Sequence, residues 1–256
     1  LSSAYSSQLK LLTRAVRSLR TVRTATPIAA LLSGHLPHAE SHLSTLGIEL
    51  LTSEAPTSLV PAWASPWARA SFAKLRVLTL TSYKRVLLLD TDVIVMRNID
   101  HLLALQAPAF VFSYKCYPRR ELRTSLMLLS PNRSSWRKAR ALLRRPVGVY
   151  DDNGEGSVWR QLFPWAYELP ASYGALRSSD FSTAEWAKVH VLHDPNLLRR
   201  ASRAGFQAAG VEARIKQLDA ETELTFKGFG PVGWDDEKQS QKKIRRGKRR
   251  GRRLAK

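Results

Sequence analysis

Two aspartates, Asp90 and Asp92, stand one residue apart where the apolar run Val86-Leu87-Leu88-Leu89 ends. In extended backbone, residues i and i+2 face the same way, so the two carboxylates are able to converge on one cation. Oxygen ligands of this kind suit Mg²⁺ or Mn²⁺, which also bridge a diphosphate. The carboxyl end of a strand is where open α/β sheets usually bind ligands. Two acids abutting an apolar strand are costly unless paired or coordinated. A solvated turn, with Asp100 nearby, is the alternative reading of the same residues.

The elements around this pair have to place it. Val86–Leu89 reads as a central strand covered on both faces. Residues 8–20 space their apolar side chains as a helix does, with basic residues between. Ile28 to Leu32 reads as a buried strand, His38 to Leu46 as a helix, and Gly47 to Leu51 as a second strand. That alternation predicts βαβ construction and a mainly parallel sheet. Residues 52–71 read as a surface loop, and Phe72 to Ser82 as a helix leading into the acidic strand. Further strands are predicted over Ala109–Phe112, Leu126–Leu129 and Val189–His193, with a basic helix over Trp136–Arg145. Beyond about residue 200 the pattern weakens, and 236–256 is predicted to be disordered.

Composition narrows the classes. The chain has 256 residues, 44% of them hydrophobic, so it is long enough for a full core. Its 41 basic and 21 acidic residues give +20, and Lys242 to Lys256 alone holds ten of the bases and no acid. Such a balance favours anionic partners: nucleotides, nucleic acid or a membrane surface. The tail carries no interleaved aromatic residue, which argues against base stacking. Cys116 is the single cysteine, which excludes an internal disulfide and a Cys-rich zinc site. No apolar run reaches the roughly 18 residues of a membrane span. The compartment, cytoplasm or Golgi lumen, stays open.

The segment Ala73-Lys74-Leu75-Arg76, Leu80-Thr81-Ser82-Tyr83 and Arg85 through Asp100, closing on Asn98-Ile99-Asp100, resembles the core signature of glycogenin-like glycosyltransferases, family 8. The likeness runs over residues 73–100 without a gap, and more weakly over about 1–195. It implies an α/β, Rossmann-like GT-A fold for nucleotide-diphospho-sugar transfer, with a mostly parallel central sheet flanked by helices. It implies a UDP-sugar donor, Mn²⁺ (Mg²⁺ the alternative), and a hexose passed with retention to a glycan, protein or small-molecule hydroxyl. On this resemblance Asp90 and Asp92 hold the metal, and Lys74 approaches the donor's phosphate or sugar. Tyr5, in Ala4-Tyr5-Ser6-Ser7, would stack near the uracil. His193, in Val191-Leu192-His193, would be the third metal ligand, with His190 its rival by register. Asn98 and Asp100 read as turn or capping residues.

The chain departs from the family pattern in two places. Arg123-Thr124-Ser125 stands where the family has Asn-Ser-Gly. Asp151-Asp152-Asn153-Gly154-Glu155-Gly156 stands where it has Asp-Gly-Gly-Asp-Gln-Gly. Asp151 and Glu155 are therefore the residues expected to orient the transferred sugar. The family's first strand does not precede Tyr5, so the expected organisation is a GT-A domain over 1–200 lacking that strand. An extension over 201–235 and a basic tail over 236–256, able to contact an anionic surface, complete it. The departures also admit a second reading, a nucleotide-sugar-binding relative with weakened catalysis. A basic nucleic-acid-binding protein is the third, resting on charge.

Overall fold

The computed structural model describes residues 3–33, 37–53, 59–66, 68–116, 119–144, 154–193 and 210–227. Helix α1 (Ser3–Thr21) leads into the parallel pair β1 (Ala29–Ser33) and β2 (Glu49–Ser53), joined through α2 (Pro37–Thr45). This is the βαβ start that the alternating pattern predicted. Val16 of α1 packs with Ala30, Leu32, Leu43 and Leu46. Gly47, at a φ of +55°, turns the chain from α2 into β2, a backbone state that a side chain disfavours.

The helix predicted over Phe72 to Ser82 is a 3-10 helix that spans residues 69–79. Its Phe72, Leu75 and Leu78 are fully buried against Phe110, Met127, Leu129 and Trp159. Each such apolar side chain contributes roughly 1.5–3 kcal/mol, enough to hold the helix against the sheet although 3-10 geometry is weak in itself.

The central sheet runs β3-β6-β5-β7 (Val86–Leu89, Arg119–Leu129, Ala109–Cys116, Tyr167–Leu169). The expected mostly parallel sheet is corrected here: β6 runs antiparallel to both β3 and β5, and only β7 joins β5 in parallel. The cause is local, since β5 and β6 follow each other across residues 117–118, and so short a connection joins only antiparallel strands. β3 is covered on both faces as expected, Val86 and Leu88 packing on one core and Leu87 and Leu89 on another, but its central place is corrected: among the described residues it pairs with β6 alone.

A further sheet has the order β4-β9-β8 (Val93–Val95, Val191–His193, Ala175–Leu176), with β9 antiparallel to β4. Val93, Val95 and Val191 pack with Leu126 and Leu128 of β6, which ties the two sheets together. Helices α3 (Arg133–Leu142), α4 (Glu155–Leu162) and α5 (Thr183–Trp186) flank them. The described residues beyond 200 hold α6 (Val211–Lys227), a helix that the weak pattern there did not predict. Its Val211, Ile215 and Leu218 cover Ile94, Trp186 and Leu192, while Asp219 and Glu223 pair with Arg14 and Lys10 of α1. Residues 236–256 lie outside the described residues. No described helix is long and apolar enough to cross a membrane.

Candidate active site

β3 ends at Leu89, and Asp90 closes the ladder by donating its N–H to the Ser125 carbonyl at 3.0 Å. The chain turns through Thr91 and Asp92 into β4. Strand β9 then fixes the third group, because the β4–β9 register sets His193 opposite Val93, next to Asp92. One ligand atom from each of Asp90, Asp92 and His193 lies within 4.8 Å of the others. His193 Nε2 is 3.4 Å from Asp92 Oδ1. Two carboxylates and an imidazole, all half-buried and aimed at one point, make a donor set that fits Mn²⁺ or Mg²⁺ and does not resemble a soft-metal site.

His190, the rival ligand, goes elsewhere. Its ring stacks on Tyr173 at 4.5 Å between centroids and lies 5.8 Å from His101. Burial, followed by His101 and Arg97, holds its imidazole below the usual range. Its carbonyl accepts the N–H groups of Met96 and Arg97, so its place is to join β4 to the segment before β9.

Lys74, from the 3-10 helix, enters from the other side. Its Nζ lies 2.6 and 2.9 Å from the two Asp90 oxygens, 3.0 Å from Glu155 Oε1 and 3.1 Å from Thr124 Oγ1. Burial alone would push this ammonium down, but the Asp90 and Glu155 carboxylates raise it above the ordinary lysine value. Asp90 moves up because burial outweighs the help from Lys74. Asp92 moves down: burial opposes its charge, and the His193 contact prevails. Glu155, 6% exposed at the start of α4, is also held low, since Lys74, Ser71 and Thr124 overcome its burial.

Of the remaining expected residues, Tyr5 lies on the first turns of α1, with its side chain outside the described residues, and Asp151 lies outside them as well. Gln8, on the next turn of α1, accepts the Thr91 hydroxyl at 2.9 Å, which brings that end of the helix to the acidic turn. Arg123 points away from this cluster, donating to Ser113 Oγ at 3.3 Å. Asn98 and Asp100 are structural: the Asp100 carboxylate accepts from Thr24 Oγ1 and from the Ala25 N–H, and Asn98 donates to the Val22 and Arg23 carbonyls. Sequence reasoning missed Ser71, Thr124 and Gln8. A hydroxyl or an amide joined to the site only by folding leaves no local pattern, and the one signal was the altered triplet at 123–125.

No protein-family model matches the chain. A curated relative, the uncharacterised protein R707 of Acanthamoeba polyphaga mimivirus, is 36% identical over 81 residues, 25% of this chain. The match spans only 29% of that relative's length. Among solved structures, an active-site mutant of LgtC superposes with a TM-score of 0.63 at 13% identity, covering 84% of this chain and 92% of that one. The glycosyltransferase GlyE of Streptococcus pneumoniae gives 0.56 at 16% identity over 84% and 61% of the two chains. Mouse xyloside xylosyltransferase 1 gives 0.50 at 12% identity over 78% and 97%. At such identities the likeness speaks for architecture, and the architecture is the Rossmann-like GT-A fold of glycosyltransferases, with Asp90, Asp92, His193 and Lys74 gathered at its strand ends.

Proposed function

We propose that the chain is a glycosyltransferase moving a hexose from a UDP-sugar to the hydroxyl of a glycan, protein or small molecule, with retention at the anomeric carbon. The observation that carries this reading is the convergence of Asp90, Asp92, His193 and Lys74 on one point within a GT-A fold. Asp90, Asp92 and His193 would hold Mn²⁺, with Mg²⁺ the alternative. A divalent ion bound there would offset the negative charge of the diphosphate.

In the transfer, the bond between the anomeric carbon and the β-phosphate oxygen breaks, and its electron pair leaves with UDP. The acceptor oxygen bonds the same carbon on the face from which UDP departs, and its proton passes to the departing β-phosphate oxygen. Lys74 stabilises the departing phosphate as a fixed cation, which requires no reorganisation at the moment of cleavage. Tyr5 would support the uracil, and Asp151 would orient the sugar. Residues 1–200 are read as the catalytic domain, 201–235 as an extension, and the basic tail as a contact for an anionic surface.

A screen of UDP-sugars for Mn²⁺-dependent hydrolysis or transfer tests this reading, comparing wild type with Asp90→Asn/Asp92→Asn. Turnover that is lost in the double variant supports it. Activity unchanged in the double variant sinks the metal assignment. UDP binding without turnover of any sugar turns the reading into that of a nucleotide-sugar-binding relative, as the departures at Arg123 and Gly154 would allow.

A further inference from the structure

We propose that Glu155 is the anchor that aims Lys74, with Thr124 a positioning residue acting on Lys74 both directly and through Glu155, and Ser71 one acting through Glu155. The inference deepens the transferase reading and rests on it only for what Lys74 then touches.

The geometry leaves Glu155 little freedom to meet a sugar. Its Oε1 accepts from Lys74 Nζ at 3.0 Å and from Thr124 Oγ1 at 2.9 Å, and its Oε2 accepts from Ser71 Oγ. It is 6% exposed. A carboxylate buried to this degree and engaged on both oxygens is a fixed counter-charge. Thr124 closes a triangle: its hydroxyl donates to Glu155 while its oxygen accepts from Lys74 at 3.1 Å. Lys74 is thereby held at three points, by Asp90, Glu155 and Thr124. Two of them do not belong to the acidic turn, so they would keep the ammonium in place when Asp90 engages a cation.

Backbone geometry delivers Thr124 to this position. Phe110 pairs with Met127 and Val111 with Arg123, so Thr124, Ser125 and Leu126 are extra residues on β6 relative to β5. A bulge of this kind re-aims side chains beside a site. The same bulge presents the Ser125 carbonyl to the Asp90 N–H. The altered triplet at 123–125 is therefore the device that couples the acidic turn to the lysine. Ser71 is the weaker member, because its single hydroxyl proton also faces the Ala68 carbonyl at 2.6 Å.

The test uses the full chain and two readouts. The first needs no ligand: labelling of Lys74 by reductive methylation, followed by peptide mass spectrometry, with exposed Lys84 and Lys188 as internal references. Glu155→Gln and Thr124→Val should each raise Lys74 labelling, by about ten-fold or more for Glu155→Gln, the scale of one lost charge-assisted hydrogen bond. Thr124→Ser keeps the hydroxyl and should label as wild type, and Ser71→Ala should show a smaller rise. The second readout is UDP binding in Mn²⁺ by calorimetry, which should weaken in the same order and be restored by Thr124→Ser. Thr124→Val matching wild type in labelling overturns the proposal, as does Thr124→Ser failing as badly as valine. If Thr124→Val does not fold, Ser71→Ala and Glu155→Gln decide by the same labelling. Wild type that binds no UDP removes the transferase reading and leaves the labelling result standing; UDP binding with unchanged labelling removes only the anchor.

Discussion

The stretch from Val86 to Asp100 carries its aspartates in two settings. Asp90 and Asp92 face a lysine and a histidine across a half-buried space. Asp100, eight residues on, faces neutral groups of its own chain: the Thr24 hydroxyl, the Ala25 N–H and the Asn98 amide. The first pair is set against Lys74 and His193, side chains brought in from two other elements. The second setting is a staple, fastening the loop after α1 to the turn before residues 100–104. One residue type serves both, and the partners decide which.

The largest test of this contrast is ligand binding. Asp90→Asn/Asp92→Asn should lower UDP affinity in Mn²⁺ by at least about 100-fold, since even the groups behind metal ligands are worth 10–100-fold. Asp100→Asn should leave that affinity essentially unchanged, and calorimetry on both variants checks the pair. Equal losses would erase the distinction.

Next comes the lysine. Lys74→Ala leaves the buried Glu155 and half-buried Asp90 carboxylates without their shared cation, at a cost on the order of 3 kcal/mol in urea unfolding. A cost near zero would mean that the two acids do not depend on it.

Asp100→Ala should cost about 1–3 kcal/mol through lost hydrogen bonds to a charged group, a fall of several degrees in Tm, without touching nucleotide binding. The same residue has a pH signature. Burial opposes its charge, but Thr24, the Ala25 N–H, Asn98 and Thr26 bring its carboxyl down from 3.8 to about 2. A group whose folded value is depressed stabilises fully above its unfolded value and stops doing so as pH falls through the folded one. The Tm gap between wild type and Asp100→Asn should thus be constant above about pH 5 and close between about pH 4 and 2. A gap independent of pH would show that the carboxylate's charge is not what fastens the loop.

The smallest effect is at the α1–α6 seam. Lys10→Ala removes a half-exposed ion pair with Glu223 and should stay within about 0.5 kcal/mol.

Much of this was written locally. The apolar run into Asp90-Thr91-Asp92 marks a strand end with two ligand-type groups, because strand periodicity and burial cost act over a few residues. The paired strands near residues 29 and 49 and the late strand bearing His193 were legible for the same reason, and so was the structural reading of Asn98 and Asp100. Tertiary structure alone decided that His193 rather than His190 meets Asp92, since that depends on the β4–β9 register. It also made β6 antiparallel to β3, placed α6 over β9, brought Thr124 and Glu155 to one ammonium, and joined Ser71 to Glu155 across a separation of 84 residues. Hydroxyls and single carboxylates carry no period, so their meeting follows from strand pairing and a bulge, which only the folded chain defines.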